Sequence, residues 1–232
     1  MILTLFILGC AGSNNGTQQP EVSSTDTNTE TPVGEILFQI PLADPSKFSI
    51  LVGVDHDPTV QDDGISQTIC TDYLGRNFPH CYDQHNGNDY MLQGGFAAMD
   101  DGSAEIVAAA DGIVIETEDG NYDRCHSDIA SFDIDCDGYP MRANYVIVAH
   151  DTGHKTLYWH MKKDSVAVDV GQTVQSGEVL GLVGSSGKSS QPHLHFEVKS
   201  PDGKVINPYA GPYSQPQTYW CAQADPFPGT CE

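Results

Sequence analysis

Short apolar runs separated by Asp-Gly and Thr-Gly turns fill the chain from about residue 82 to 210, among them EIVAAADGIVIETEDG, NYVIVAHDTGHKTLYWHM, VAVDVGQTVQSGEVLGLVGSSG and PHLHFEV. Runs of that length between such turns predict antiparallel strands and hairpins. No segment keeps a helical apolar repeat for three turns, so the expected fold is mainly β. In an extended chain side chains alternate between faces, so PHLHFEV places His193, His195 and Glu197 on one face and Leu194, Phe196 and Val198 on the other. The same alternation in TLYWHM sets Tyr158 and His160 against Leu157, Trp159 and Met161, which predicts a further imidazole on the polar face of a strand. GLVGSSGKSS lacks the G-x-x-x-x-G-K-[ST] order of a phosphate loop and leads into a strand. It reads as the hairpin that delivers His193 and His195.

The ends of the chain are of a different character. MILTLFILGC is apolar up to Gly9-Cys10 and is followed by a polar, low-complexity stretch. That order resembles a bacterial lipoprotein signal, which implies a signal at 1–10, a lipid anchor on Cys10, a disordered linker at 11–34, and an exported periplasmic or cell-surface lipoprotein, possibly held at an outer membrane. No other stretch approaches the ~20 apolar residues that span a bilayer. Residues 35–81 are expected to be an extension packed on the core, 82–212 the main domain, and 213–232 a tail with its own disulfide.

Charge and cysteines narrow the partners and the compartment. Ten basic against 32 acidic residues give a formal charge of -22, which argues against nucleic acid or an anionic membrane surface as a partner. Any membrane contact is then expected through the lipid on Cys10 alone, and the chain is expected to be a monomer. Beyond Cys10, an even set of six cysteines in an exported chain suggests disulfides. Their spacing invites Cys70 with Cys81, Cys125 with Cys136, and Cys221 with Cys231, among ~15 possible connectivities. A thiolate zinc site is the weaker reading, since no C-x-x-C occurs.

The partners for the two histidines of PHLHFEV stand upstream in YDQHNGNDYML. Asn86-Gly87-Asn88 favours a turn, which places His85 and Asp89 on a loop entering a strand at Tyr90. A catalytic zinc takes three nitrogen or oxygen ligands from protein and keeps one position open. His85, Asp89 and one histidine of the later pair meet that count. There is no H-E-x-x-H, so the base must come from elsewhere, and His160 and His193 are the histidines free for proton transfer. Glu197 shares the face of the pair and is placed to receive a histidine N–H. His150 and His154 flank a turn and suit a supporting role, while His56, His80 and His126 read as loop residues. DIDCDG mimics the opening of a calcium loop, but its twelfth position is Asn144 instead of a glutamate, so it reads as an acidic disulfide loop.

Taken in order, H-x-G-x-D at 85–89, the Asn144 run NYVIVAH, Tyr158-x-His160, the glycine-rich GQTVQSGEVLGLVGSSGKSS and H-x-H at 193–195 resemble the lysostaphin-type, or LytM-like, zinc metallopeptidases over about residues 82–210. The resemblance implies an antiparallel β-sheet or sandwich domain with a substrate groove. It implies one Zn2+ per chain held by His85, Asp89 and His195, with His160 and His193 as catalytic histidines. It further implies endopeptidase hydrolysis of the peptide cross-links of bacterial peptidoglycan. Two alternatives stay open: a catalytically silent LytM-like module that binds or activates another wall hydrolase, and a zinc peptidase acting on non-wall, glycine-rich peptides.

Overall fold

A computed structural model describes residues 36–60, 68–127 and 133–231; Cys10 and the linker at 11–34 lie outside the described residues. In chain order the strands are β1 (Phe48–Val52), β2 (Asn88–Leu92), β3 (Glu105–Val107), β4 (Gly112–Glu118), β5 (His126–Ser127), β6 (Ile134–Asp135), β7 (Tyr145–Ala149), β8 (Lys155–Trp159), β9 (Thr173–Val174), β10 (Val179–Leu182), β11 (His193–Lys199) and β12 (Val205–Ile206). The main sheet runs β1-β2-β11-β8-β7-β4-β9, with β12 paired to β11, while β10-β3 and β5-β6 form two small sheets. Every strand pairing is antiparallel, as the runs of the sequence predict.

The strand β11 sits between β2 and β8 and is buried on both faces. Leu194, Phe196 and Val198 enter the hydrophobic core beside Tyr90 of β2, Tyr158 of β8 and Val146 and Val148 of β7. Residues from both ends of the described chain complete this core. Phe38 bridges Trp220 in parallel, and Ile40, Leu42, Tyr209 and Trp220 are buried with it. Fully burying a large apolar side chain contributes about 1.5–3 kcal/mol, so these outer segments add to the stability of the sheet. The pairs Cys70–Cys81, Cys125–Cys136 and Cys221–Cys231 are all formed, as their spacing invites.

Three local expectations differ from what the structure shows. Asp89 lies inside β2, not in the loop before it, because its backbone is held between Val52 of β1 and His195 of β11, and ladder pairing overrides the turn preference of Asn88 and Asp89. GLVGSSGKSS is no hairpin: β10 pairs with β3 and β11 with β2 and β8, so residues 183–192 are a loop crossing between sheets. A short helix, α1 (Gly95–Asp101), follows β2; its two turns bury only Met99, in keeping with the absence of a helical repeat sustained over three turns. The third departure concerns Tyr158 and His160. The hairpin β7–β8 forms as read, but Tyr158 faces the core, with its hydroxyl accepting from the Ala109 N–H, and Trp159 pairs with His195 on the other face. The strand ends at Trp159, and His160 takes a left-handed backbone with φ of 65°. That turn breaks the two-residue alternation, so His160 reaches the polar face by leaving the strand, not by continuing it.

Candidate metal centre

The polar face of β11 meets two other segments. His195 lies directly across from Asp89 in the ladder, and the loop before β2 brings His85 over both. Gly87 lets that loop come so close, because a Cβ there would stand 2.6 Å from the His195 ring. The Tyr82 ring stacks on His85 with centroids 4.1 Å apart and closes its outer side.

Hydrogen bonding then fixes which atom of each ring points inward. The carbonyl of Gly53, from the segment after β1, accepts from His85 Nδ1 at 2.8 Å. A carbonyl can only accept, so in neutral His85 the lone pair is on Nε2. The Glu197 carboxylate accepts from His195 Nε2 at 3.2 Å, so in neutral His195 the lone pair is on Nδ1. These two lone pairs and Asp89 Oδ1 face one another: Nε2 to Nδ1 is 3.1 Å, Nε2 to Oδ1 3.2 Å and Nδ1 to Oδ1 2.7 Å. With both imidazoles neutral these are three acceptor atoms, and a cation between them, or a proton on His195 Nδ1 shared with Asp89, relieves their repulsion. A tetrahedral zinc with bonds of 2.0–2.2 Å sets its ligands about 3.3–3.6 Å apart, so the triangle needs only slight expansion to hold one.

Electrostatics agree with the geometry. Burial pushes the Asp89 carboxyl up, but His85, His193 and His195 together pull it well below the usual carboxylate range. Burial disfavours charge on His195, yet Asp89 and Glu197 outweigh it and hold its pKa up at about 9. Asp89 and Glu197 thus favour a positive charge, a proton on His195 or a metal ion, where the three ligand atoms meet.

His193 and His160 stand beside this triangle with the opposite bias. His193 donates from Nδ1 to the Gln191 carbonyl at 2.7 Å, and its Nε2 faces Asp89 Oδ1 at 3.6 Å. His160 donates from Nδ1 to the Ser186 carbonyl at 2.7 Å, with its ring 4.7 Å from that of His193 and 5.8 Å from that of His195. Burial lowers the pKa of both imidazoles, that of His160 well below the ordinary histidine value. Each is therefore neutral with Nε2 unprotonated, the state of a proton acceptor. The backbone of His160 is braced by Asn144, whose side chain donates to the Met161 carbonyl at 3.1 Å, and by Ser186, whose hydroxyl donates to the same carbonyl.

All five residues named from the sequence thus come together. The carbonyls of Gly53, Ser186 and Gln191 that orient them were not foreseen; a main-chain oxygen carries no residue signature. The other histidines lie elsewhere. His150 bridges the Asp111 carbonyl and the Thr156 hydroxyl within the β7–β8 hairpin, His154 bonds Thr152, and His56 is half-buried against Asn207. In the Cys125–Cys136 loop, Asp135 and Asp137 gather around His126 in place of a calcium loop, and Asp137 is already engaged by the Tyr122 hydroxyl.

Residues 84–208, more than half of the chain, match peptidase family M23. The DD-carboxypeptidase/endopeptidase Mpg of Neisseria meningitidis is 31% identical over 130 residues, 56% of this chain and 23% of that protein. The murein hydrolase activator EnvC of Escherichia coli is 40% identical over 63 residues, 27% of this chain and 14% of that protein. The chain spans less than a quarter of the length of these curated relatives. The catalytic domain of lysostaphin from Staphylococcus simulans aligns at 24% identity over 54% of this chain and 77% of that one, with a TM-score of 0.36.

Proposed function

The chain belongs to peptidase family M23, a family of metallopeptidases, and from that premise we propose that it is a zinc-dependent endopeptidase hydrolysing the peptide cross-links of bacterial peptidoglycan. The observation that carries this reading is the convergence of three ligand atoms from His85, Asp89 and His195 beside two histidines whose charged form burial disfavours. His85, Asp89 and His195 would hold a zinc ion there, which when bound would polarise the scissile carbonyl and lower the pKa of a bound water. His193 brings its Nε2 to 3.6 Å from Asp89 Oδ1, and the His160 ring lies 4.7 Å from that of His193, so either can take a proton from the attacking water. The other, once protonated, can stabilise the developing oxyanion or pass its proton to the leaving amine. Their Nδ1 bonds to Gln191 and Ser186 keep the rings from turning during the transfer.

The relatives named above support this reading, since the Neisserial protein is named for a carboxypeptidase and endopeptidase activity and the Escherichia coli protein for the activation of murein hydrolases. The match to an activator of murein hydrolases favours a second reading, a module that binds and stimulates another hydrolase. The filled set of five residues supports the enzyme instead, because a binding module has no use for two oriented proton acceptors. The three disulfides support action in an oxidising compartment, with Cys10 as the proposed lipid anchor.

The test is to incubate the purified protein with isolated peptidoglycan and with a glycine-rich peptide, with and without chelator, and to identify products by mass spectrometry. Chelator-sensitive release of cross-link fragments is expected. Zinc-loaded protein that leaves both substrates intact but stimulates a second hydrolase would replace the enzyme with the activator.

A further inference from the structure

From the same polar face we infer that Glu197 is a positioning residue that sets the strength with which His195 holds the metal, by clasping the two segments that carry the ligands. The inference rests on the metal site proposed above and extends it to a residue outside the triangle. Glu197 is buried, with 7% of its side chain exposed, and all of its hydrogen bonding is directed to the site and its surroundings. One oxygen, Oε1, accepts from His195 Nε2 at 3.2 Å and from Asn86 Nδ2 at 3.1 Å. The other, Oε2, pairs with Lys199 Nζ at 2.7 Å.

Asn86 is the residue between His85 and Gly87, so its bond to Glu197 ties the loop that bears one ligand to the strand that bears another. Gly87 packs against the same Cε1 and Nε2 edge of His195 that Glu197 grips. The ring is thus held from two sides, and only one of its tautomers, with the proton on Nε2, satisfies the carboxylate. That tautomer is the one that leaves Nδ1 open toward His85 and Asp89. A metal-bound imidazole whose far N–H is held by a carboxylate is fixed in orientation and made a stronger donor, and loss of such a partner lowers metal affinity by about 10–100-fold. Lys199 holds the carboxylate in line and balances a charge that burial would otherwise penalise.

The experiment compares wild type with Glu197→Gln and Glu197→Leu. Zinc affinity is measured by competition with a chromophoric chelator, the release rate by excess chelator, and the electronic spectrum with cobalt(II) in place of zinc, with the melting temperature of each metal-free protein as the control for folding. Glu197→Gln, which keeps the shape and loses the charge, should bind zinc about 10-fold more weakly, and Glu197→Leu about 100-fold, with a changed cobalt spectrum. Affinities within twofold of wild type in both variants, or a drop that follows the melting temperature alone, would overturn the inference. So would a wild type that binds no zinc. None of these measurements uses a substrate, so a protein that binds zinc tightly through Glu197 and cleaves nothing refutes the proposed hydrolysis while leaving the clasp intact.

Discussion

The two faces of β11 are equally buried and are built on opposite terms. On one, Leu194, Phe196 and Val198 are sealed against aromatic rings from both ends of the described chain. On the other, His193, His195 and Glu197 are within a few per cent of the same burial, yet each has a named hydrogen-bond partner. The apolar face depends on volume and area, which many residues can supply. The polar face depends on which atom bears a proton, which one residue type at each position can supply. A strand of seven residues therefore combines a face that tolerates conservative change with one that does not.

The sharpest break in that comparison is expected at His195. His195→Ala should remove bound zinc and, with it, all turnover, while the metal-free variant still folds; metal analysis and circular dichroism together check this. Wild-type zinc content in that variant would show that the ligand assignment is wrong. Next comes His193→Ala, which should keep its zinc and lose about 10²–10⁴-fold in kcat, read by steady-state kinetics on metal-loaded protein. A change on the apolar face should act the other way. Phe196→Ala should cost about 3–5 kcal/mol in urea unfolding, with the surviving folded protein still binding zinc. The smallest effect is expected at the contact between the faces' neighbours: Gly87→Ala must push the His195 ring aside and should cost about 1–3 kcal/mol, seen as faster release of zinc to chelator.

How much of this was legible beforehand follows from the kind of signal each residue carries. The alternation in PHLHFEV is a period of two within a strand that runs unbroken from His193 to Lys199, so both faces could be read directly. His160 does come beside the triangle, but not as part of a strand as its alternation suggests, because a positive φ at a histidine has no marker comparable to glycine. Asn-Gly-Asn-Asp reads as a turn on local preference, and only the pairing of Asp89 with strands from distant parts of the chain makes it extended. The crossing of residues 183–192 between sheets was hidden for the same reason, since a glycine-rich connection looks alike in a hairpin and in a crossover. The disulfides were legible because each joins cysteines close in sequence.

The bond from His85 to the carbonyl of Gly53 has a practical side. The segment shared with the family begins at residue 84, and trimming the chain to that segment is the obvious way to borrow its chemistry for another protein. Such a trimmed piece would keep His85, Asp89, His160, His193 and His195, yet discard β1, which flanks the strand bearing Asp89, and the Gly53 oxygen that accepts from His85. The portable unit is therefore longer than the recognisable one, and its true start lies ahead of Phe48.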